Sequence, residues 1–117
     1  MTLDDVHEYI QKQYEAEPIA AFKEDPSIMV FARPDNDKWF AATKNIRFSS
    51  VGIEGDGRID ILNVRLNPRL VASLREREGF RPAWHMNQNK WVTILLDGTV
   101  ADDEIYELID KGFKCMG

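Results

Sequence analysis

The residue types best suited to chemistry gather in one short stretch, Trp84-His85-Met86-Asn87-Gln88-Asn89-Lys90-Trp91. Aromatic planes stack on bases or other flat ligands, amides exchange hydrogen bonds with them, and a lysine pairs with an anion. If the chain from Trp84 to Asn87 is extended, His85 and Asn87 share one face while Trp84 and Met86 share the other. Trp84, His85, Asn87, Asn89 and Trp91 are therefore the candidate recognition residues. The same types also have a structural use: His85 and the amides can satisfy buried backbone groups at a sheet corner, and both indoles can fill a core. A general base at His85 needs an orienting carboxylate and a nucleophile. Asp60 and Asp97 are the available carboxylates, but nothing in their spacing brings either one near, so no catalytic residue is assigned.

Charge supplies the second set of candidates. The chain of 117 residues carries a net charge of −5, which argues against strong non-specific binding to nucleic acid. The distribution is uneven. Between Arg65 and Trp91 lie Arg65, Arg69, Arg75, Arg77, Arg81 and Lys90, opposed only by Glu76 and Glu78, so that segment is +4 and the remainder −9. Arg69, Arg75, Arg81 and Lys90 are the candidates for phosphate contact. A face built for phosphate requires them clustered and free of Glu76 and Glu78.

Two stretches imitate known motifs. Asp35-Asn36-Asp37 opens like a calcium loop, but Trp39 and Phe40 stand where a ligand and a glycine are needed, so it reads as a turn. Gly52 to Gly57 is glycine-rich but lacks the Lys-Ser/Thr of a phosphate loop and carries Glu54 and Asp56, which repel phosphate; it reads as a loop. Two histidines and one cysteine cannot build a histidine-rich or zinc-ribbon site, and no metal or cofactor is expected. His7, beside acidic residues, reads as exposed. The single Cys115 excludes an internal disulfide and points to a reducing compartment. No apolar run approaches the ~18 residues of a membrane span, and the acidic start is unlike a signal peptide. The expectation is a cytoplasmic protein without membrane contact, monomeric by default.

These candidates must be held by secondary structure. Thr2 and Asp5 have capping-box spacing, and Leu3, Val6, Ile10 and Tyr14 share a helical face up to a break at Pro18. Ile28–Ala32 and Trp39–Thr43 predict a hairpin, and Asn45 to Gly57 a loop. Arg58–Leu66, apolar on both sides of its alternation, predicts a central or bulged strand. Asn67-Pro68 predicts a helix start and Gly79 its end. Arg81–Met86 extends, Asn87–Lys90 turns, and Trp91–Leu96 is a strand. A last helix runs from Asp102 to Lys111, stopped by Gly112. The order is α-β-β-β-α-β-β-α over one domain, 1–117. It gives an α+β two-layer sandwich, with a mostly antiparallel sheet and helices on one face.

The stretch Trp84-His85-Met86-Asn87, followed by Lys90-Trp91 and Thr93-Ile94-Leu95-Leu96-Asp97-Gly98, resembles the MmcQ/YjbR family of small bacterial proteins. Asp102-Asp103-Glu104-Ile105 with Leu108-Ile109, Leu62-Asn63-Val64 leading into Asn67-Pro68, and Val30-Phe31 with Trp39-Phe40-Ala41 extend the likeness over nearly the whole chain. The chain departs from the pattern at Ala101, where proline is frequent, and at Gly112-Phe113, where Ser-Tyr is common. The resemblance implies a frataxin-like layered fold with a double-wing motif, and DNA as partner. It implies no catalytic residues. Two readings follow. One is a weak DNA-binding regulatory module. The other is a non-enzymatic domain that binds a protein or small ligand through the Trp84–Trp91 surface, which requires at least one of these tryptophans exposed in a groove.

Overall fold

Thr2 caps the first helix as its spacing predicts. Its hydroxyl accepts the Asp5 N–H at 3.1 Å, and the Asp5 carboxylate accepts the Thr2 N–H at 2.9 Å. In the computed structural model, which describes Met1–Gly117, α1 spans Leu3–Tyr14 and ends at Glu15 in the left-handed conformation, φ 56°. There follow β1 (Met29–Ala32), β2 (Trp39–Arg47), a 3-10 turn (Phe48–Val51), β3 (Arg58–Arg65), α2 (Pro68–Leu74), β4 (Phe80–Pro82), β5 (Trp91–Leu95) and α3 (Asp102–Cys115). No helix is long and apolar enough to cross a membrane.

The strands form one sheet in the order β1-β2-β3-β5-β4, every neighbouring pair antiparallel. β3 is central, which is why its sequence is apolar on both faces. Leu62, Val64, Val92 and Ile94 face the three helices and join a buried cluster of 20 residues that includes Val6, Ile10, Val71, Leu74, Ile105 and Ile109. This is the α+β two-layer architecture that the element order predicts. On the opposite face, Ile61 and Leu95 belong to a five-residue cluster, and Val30 and Ala42 to one of three. Connecting segments cover that face through Phe22, Phe48, Ile53, Trp84 and Met86.

A bulge shapes the sheet edge. Phe31 pairs with Ala41 and Ala32 with Trp39, so Phe40 is the extra residue. Phe40 and Ala41 thus both enter the helix-side core, while Trp39 is 36% exposed.

Four local expectations are corrected. β2 continues through Asn45 to Arg47 before the chain turns. α2 ends at Leu74, well before Gly79, which serves instead in the turn into β4 with φ 89°. α3 does not stop at Gly112. There the helix crosses the sheet so closely that a Cβ would lie 2.8 Å from Val64 Cγ1 and 3.0 Å from the Arg65 carbonyl oxygen. His7 is half-buried rather than exposed, with Nε2 2.7 Å from Thr43 Oγ1 and its ring edge-on to Phe31. Burial pushes its pKa below the ordinary value, and Asp4 partly offsets this.

Candidate recognition site

The segment from Trp84 to Lys90 is held across the loop-covered face by a buried polar relay. Asn63 and Thr93 stand opposite each other on β3 and β5, both buried. The Trp84 N–H donates to Thr93 Oγ1 at 2.9 Å, Thr93 Oγ1 donates to Asn63 Oδ1, and Asn63 Nδ2 donates to the Trp84 carbonyl oxygen at 2.8 Å. Two sheet side chains thereby satisfy each other and both polar groups of one peptide residue, which is how buried polar groups are tolerated.

This anchoring overturns the extended reading. After β4 the chain bends through Trp84–Met86, with His85 in the left-handed region at φ 63°. His85 and Asn87 therefore do not alternate against Trp84 and Met86 as in a strand. The Asn87–Lys90 turn is as predicted. Asn87 Oδ1 accepts the Asn89 N–H at 2.9 Å, and the Asn87 carbonyl accepts the N–H groups of Lys90 and Trp91. The Asn87 carbonyl oxygens are thus spent on shaping the turn, while Asn89 and Lys90 are exposed.

The two tryptophans separate. Trp91 is buried, 6% exposed, and belongs to the scaffold. Trp84 is half-buried, packs against both small clusters, and with His85, Arg81, Gln88, Ser50 and Val51 lines an open cleft of about 330 Å³. Asp60 and Asp97 line a different cleft, beside Asn45 and Arg58. No carboxylate lines the cleft of His85.

Arg75, Arg81 and Lys90 each border this turn or the cleft beside it. Arg75 Nη1 donates to the Gln88 carbonyl at 3.3 Å. Arg81 is held by the carbonyls of Val51 and Phe80, at 3.1 and 2.9 Å. Lys90 is part of the turn itself. Neither these three nor Arg69 forms an ion pair, and Glu76 and Glu78 neutralise none of them. Arg77 is the cation of the segment that is spent. It pairs with Glu104 through two contacts of 2.7 Å and holds that carboxyl below the usual range. Arg69 lies in the first turn of α2, and its side chain makes no hydrogen bond or ion pair.

Two further aromatics complete the face. Phe22 sits edge-on to His85 at 5.1 Å and to Trp39 at 5.7 Å, and the rings of Trp84 and His85 lie 5.1 Å apart. Neither Phe22 nor Trp39 stands out in the sequence. Phe22 lies in a stretch without periodicity, and the exposure of Trp39 follows from the bulge at Phe40.

Comparison with known proteins agrees with the sequence resemblance. The profile of the YjbR family matches residues 11–115. The Bacillus subtilis (strain 168) protein YyaQ, described as uncharacterized, is 30% identical over 113 residues, covering 97% of this chain and 96% of its own. A crystal structure of a Pseudomonas syringae protein superposes with TM-score 0.94 at 38% identity, covering both chains completely. Deinococcus radiodurans DR2400 shares the fold, with TM-score 0.72 at 24% identity over 96% of this chain and 75% of that one. The chain belongs to the YjbR family.

Proposed function

We propose that residues 1–117 act as one cytoplasmic domain that binds nucleic acid weakly through the face built around Trp84–Lys90. The observation that carries this reading is that Arg75 bonds the turn, Lys90 belongs to it and Arg81 lines the adjoining cleft, none of them in an ion pair, in a chain of net charge −5. Phosphates pair with these cations, and the exposed edges of Trp84 and His85 take a base or sugar. The acidic remainder of the surface keeps the affinity low. Arg69, in the first turn of α2, contributes at the margin, because no bond ties it to the turn.

The test is fluorescence anisotropy with labelled duplex and single-stranded oligonucleotides, titrated with salt. Binding should weaken with a log–log slope of about −0.9 per duplex phosphate neutralised. It should vanish in a variant carrying Arg75→Glu, Arg81→Glu and Lys90→Glu. Absence of binding at low salt would overturn the reading.

A second reading rests on the cleft itself. Trp84 is half-buried in a groove with Arg81 and His85, which suits a flat, anionic small ligand or a partner's side chain. Ligand-dependent quenching of Trp84 fluorescence, insensitive to Lys90→Glu, would favour it over nucleic acid.

A further inference from the structure

At the far end of the central hairpin, β2 ends on Arg47 directly opposite Arg58, where β3 begins. Like charges facing each other across a strand pair are destabilising, and neither arginine has an ion-pair partner. Arg58 is nevertheless fixed in place. Its Nε donates to Asn45 Oδ1 at 2.6 Å and its Nη2 to the Asn45 carbonyl at 3.0 Å, while Asn45 Nδ2 donates to Asp60 Oδ1 at 2.8 Å. This relay thus orients one guanidinium and leaves Nη1 without a hydrogen bond.

The loop that closes this end is ordered by packing. The Phe48 N–H bonds the Gly57 carbonyl at 2.9 Å, and the Ile53 N–H bonds the Phe48 carbonyl at 3.0 Å. The Phe48 ring lies so close over Gly57 that a Cβ there would come within 2.3 Å of it. Between the two arginines lies a hollow of about 420 Å³, lined by Arg47, Ser49, Gly55, Asp56, Gly57 and Arg58, with no apolar residue. Asp56, whose charge opposes an anion, is its single carboxylate; it pairs with neither arginine, and the two guanidiniums outnumber it.

We infer that this hollow is a binding site for a phosphoryl oxyanion, clamped between Arg47 and Arg58 with Ser49 as a hydroxyl donor. An oxyanion removes the repulsion between the opposed guanidiniums and receives their charge-assisted hydrogen bonds. The hollow shares no lining residue with the Trp84 cleft, although the Phe48–Val51 turn borders both, and the proposal does not rest on nucleic-acid binding there.

The experiment is a ¹H–¹⁵N NMR titration of the full chain with inorganic phosphate at constant ionic strength, with chloride as control. A parallel titration uses a short DNA duplex. Saturable shifts at the amides of Ser49, Gly55 and Gly57 and at the Arg47 and Arg58 Nε–H groups are expected. Arg47→Gln and Arg58→Gln should each weaken phosphate binding about tenfold or more, and the same spectra report that the variants remain folded. An Arg75→Glu, Lys90→Glu variant, which leaves the contact of Arg81 with Val51 intact, should bind phosphate normally. Saturation at these amides by phosphate identifies a site for free phosphate or a monoester; saturation only by the duplex identifies a backbone phosphate as the source. Shifts that rise linearly with both phosphate and duplex, or that chloride reproduces, overturn the proposal, as does undiminished binding in both arginine variants.

Discussion

On its helix-covered face the sheet buries one continuous cluster of 20 residues, whereas its loop-covered face buries two, of five and three. The first is filled by side chains whose periodicity is set by α1, α2 and α3. The second is stitched by single polar anchors, chiefly Asn63 and Thr93 under Trp84. Small satellite clusters beneath long connections release less free energy on burial than a continuous core. The difference teaches where this fold stores stability and where it keeps side chains available. The exposed aromatic edges and Lys90 lie with the loops, and Arg75 at the end of α2 and Arg81 on β4 bond carbonyls there.

The sharpest test of that division is a matched pair of deletions. Ile109 is fully buried in the large cluster, and Ile109→Ala should cost toward the upper end of about 2–5 kcal/mol. Ile59 is 7% exposed in the five-residue cluster. Ile59→Ala should cost near or below about 2 kcal/mol, because a site close to solvent relaxes around the missing atoms. Urea midpoints measure both. Equal losses would mean that the loop-covered face is as tightly packed as the other.

Gly112→Ala probes the closest approach on the helix side. The added Cβ meets Val64 Cγ1 and the backbone oxygens of Arg65 and Phe40 at 2.8–3.2 Å. Backbone cannot move aside cheaply, so a loss of about 1–3 kcal/mol is expected by thermal melting. A neutral or stabilising outcome, from improved helix propensity, would show that α3 can lift away from the sheet.

This glycine also marks where sequence reading gives out. A Gly after a periodic helix ordinarily stops it, and only the contact with β2 and β3, more than forty residues earlier, shows why this one sits inside. The elements themselves were legible: the Thr2 and Asn67 caps, the hairpin turn and the alternation of β3 are local signals. The site was legible in part. The Trp84–Lys90 stretch and its cations are conspicuous by composition, but the path of the chain there is dictated by Asn63, 21 residues away, and Thr93, 9 residues away. An isolated reading of Arg81–Met86 as extended could not register those partners. His7 was misjudged for a similar reason. Its acidic neighbours are local, while Thr43 and Phe31 are not.

Asn63→Ala tests whether the polar anchor holds the recognition segment. It strands the Trp84 carbonyl oxygen and removes the acceptor of Thr93, at a cost of about 1–3 kcal/mol. Hydrogen exchange should accelerate across residues 84–90 while β3 stays protected. Unchanged exchange there would assign the anchoring to the apolar packing of Trp84 instead.

The smallest effect separates the faces by pH. His7 lies between α1 and the sheet, and burial holds its folded-state pKa below the unfolded value. Below the unfolded value of about 6.5 the unfolded chain therefore takes up the His7 proton first. The contribution of neutral His7 is complete above that pH and is lost as pH falls from there through the folded pKa. Carboxylates titrate in the lower part of this range, so the informative quantity is the difference between the wild-type chain and His7→Gln, whose amide can still bond Thr43. Urea midpoints measured between pH 7.5 and 5.5 should fall more steeply in the wild type than in the variant, because only the wild type must either protonate a half-buried ring beside Phe31 or resist doing so. Parallel curves would show that the ring escapes to solvent when charged, and that the helix-covered face opens at α1 as readily as the other opens at its loops.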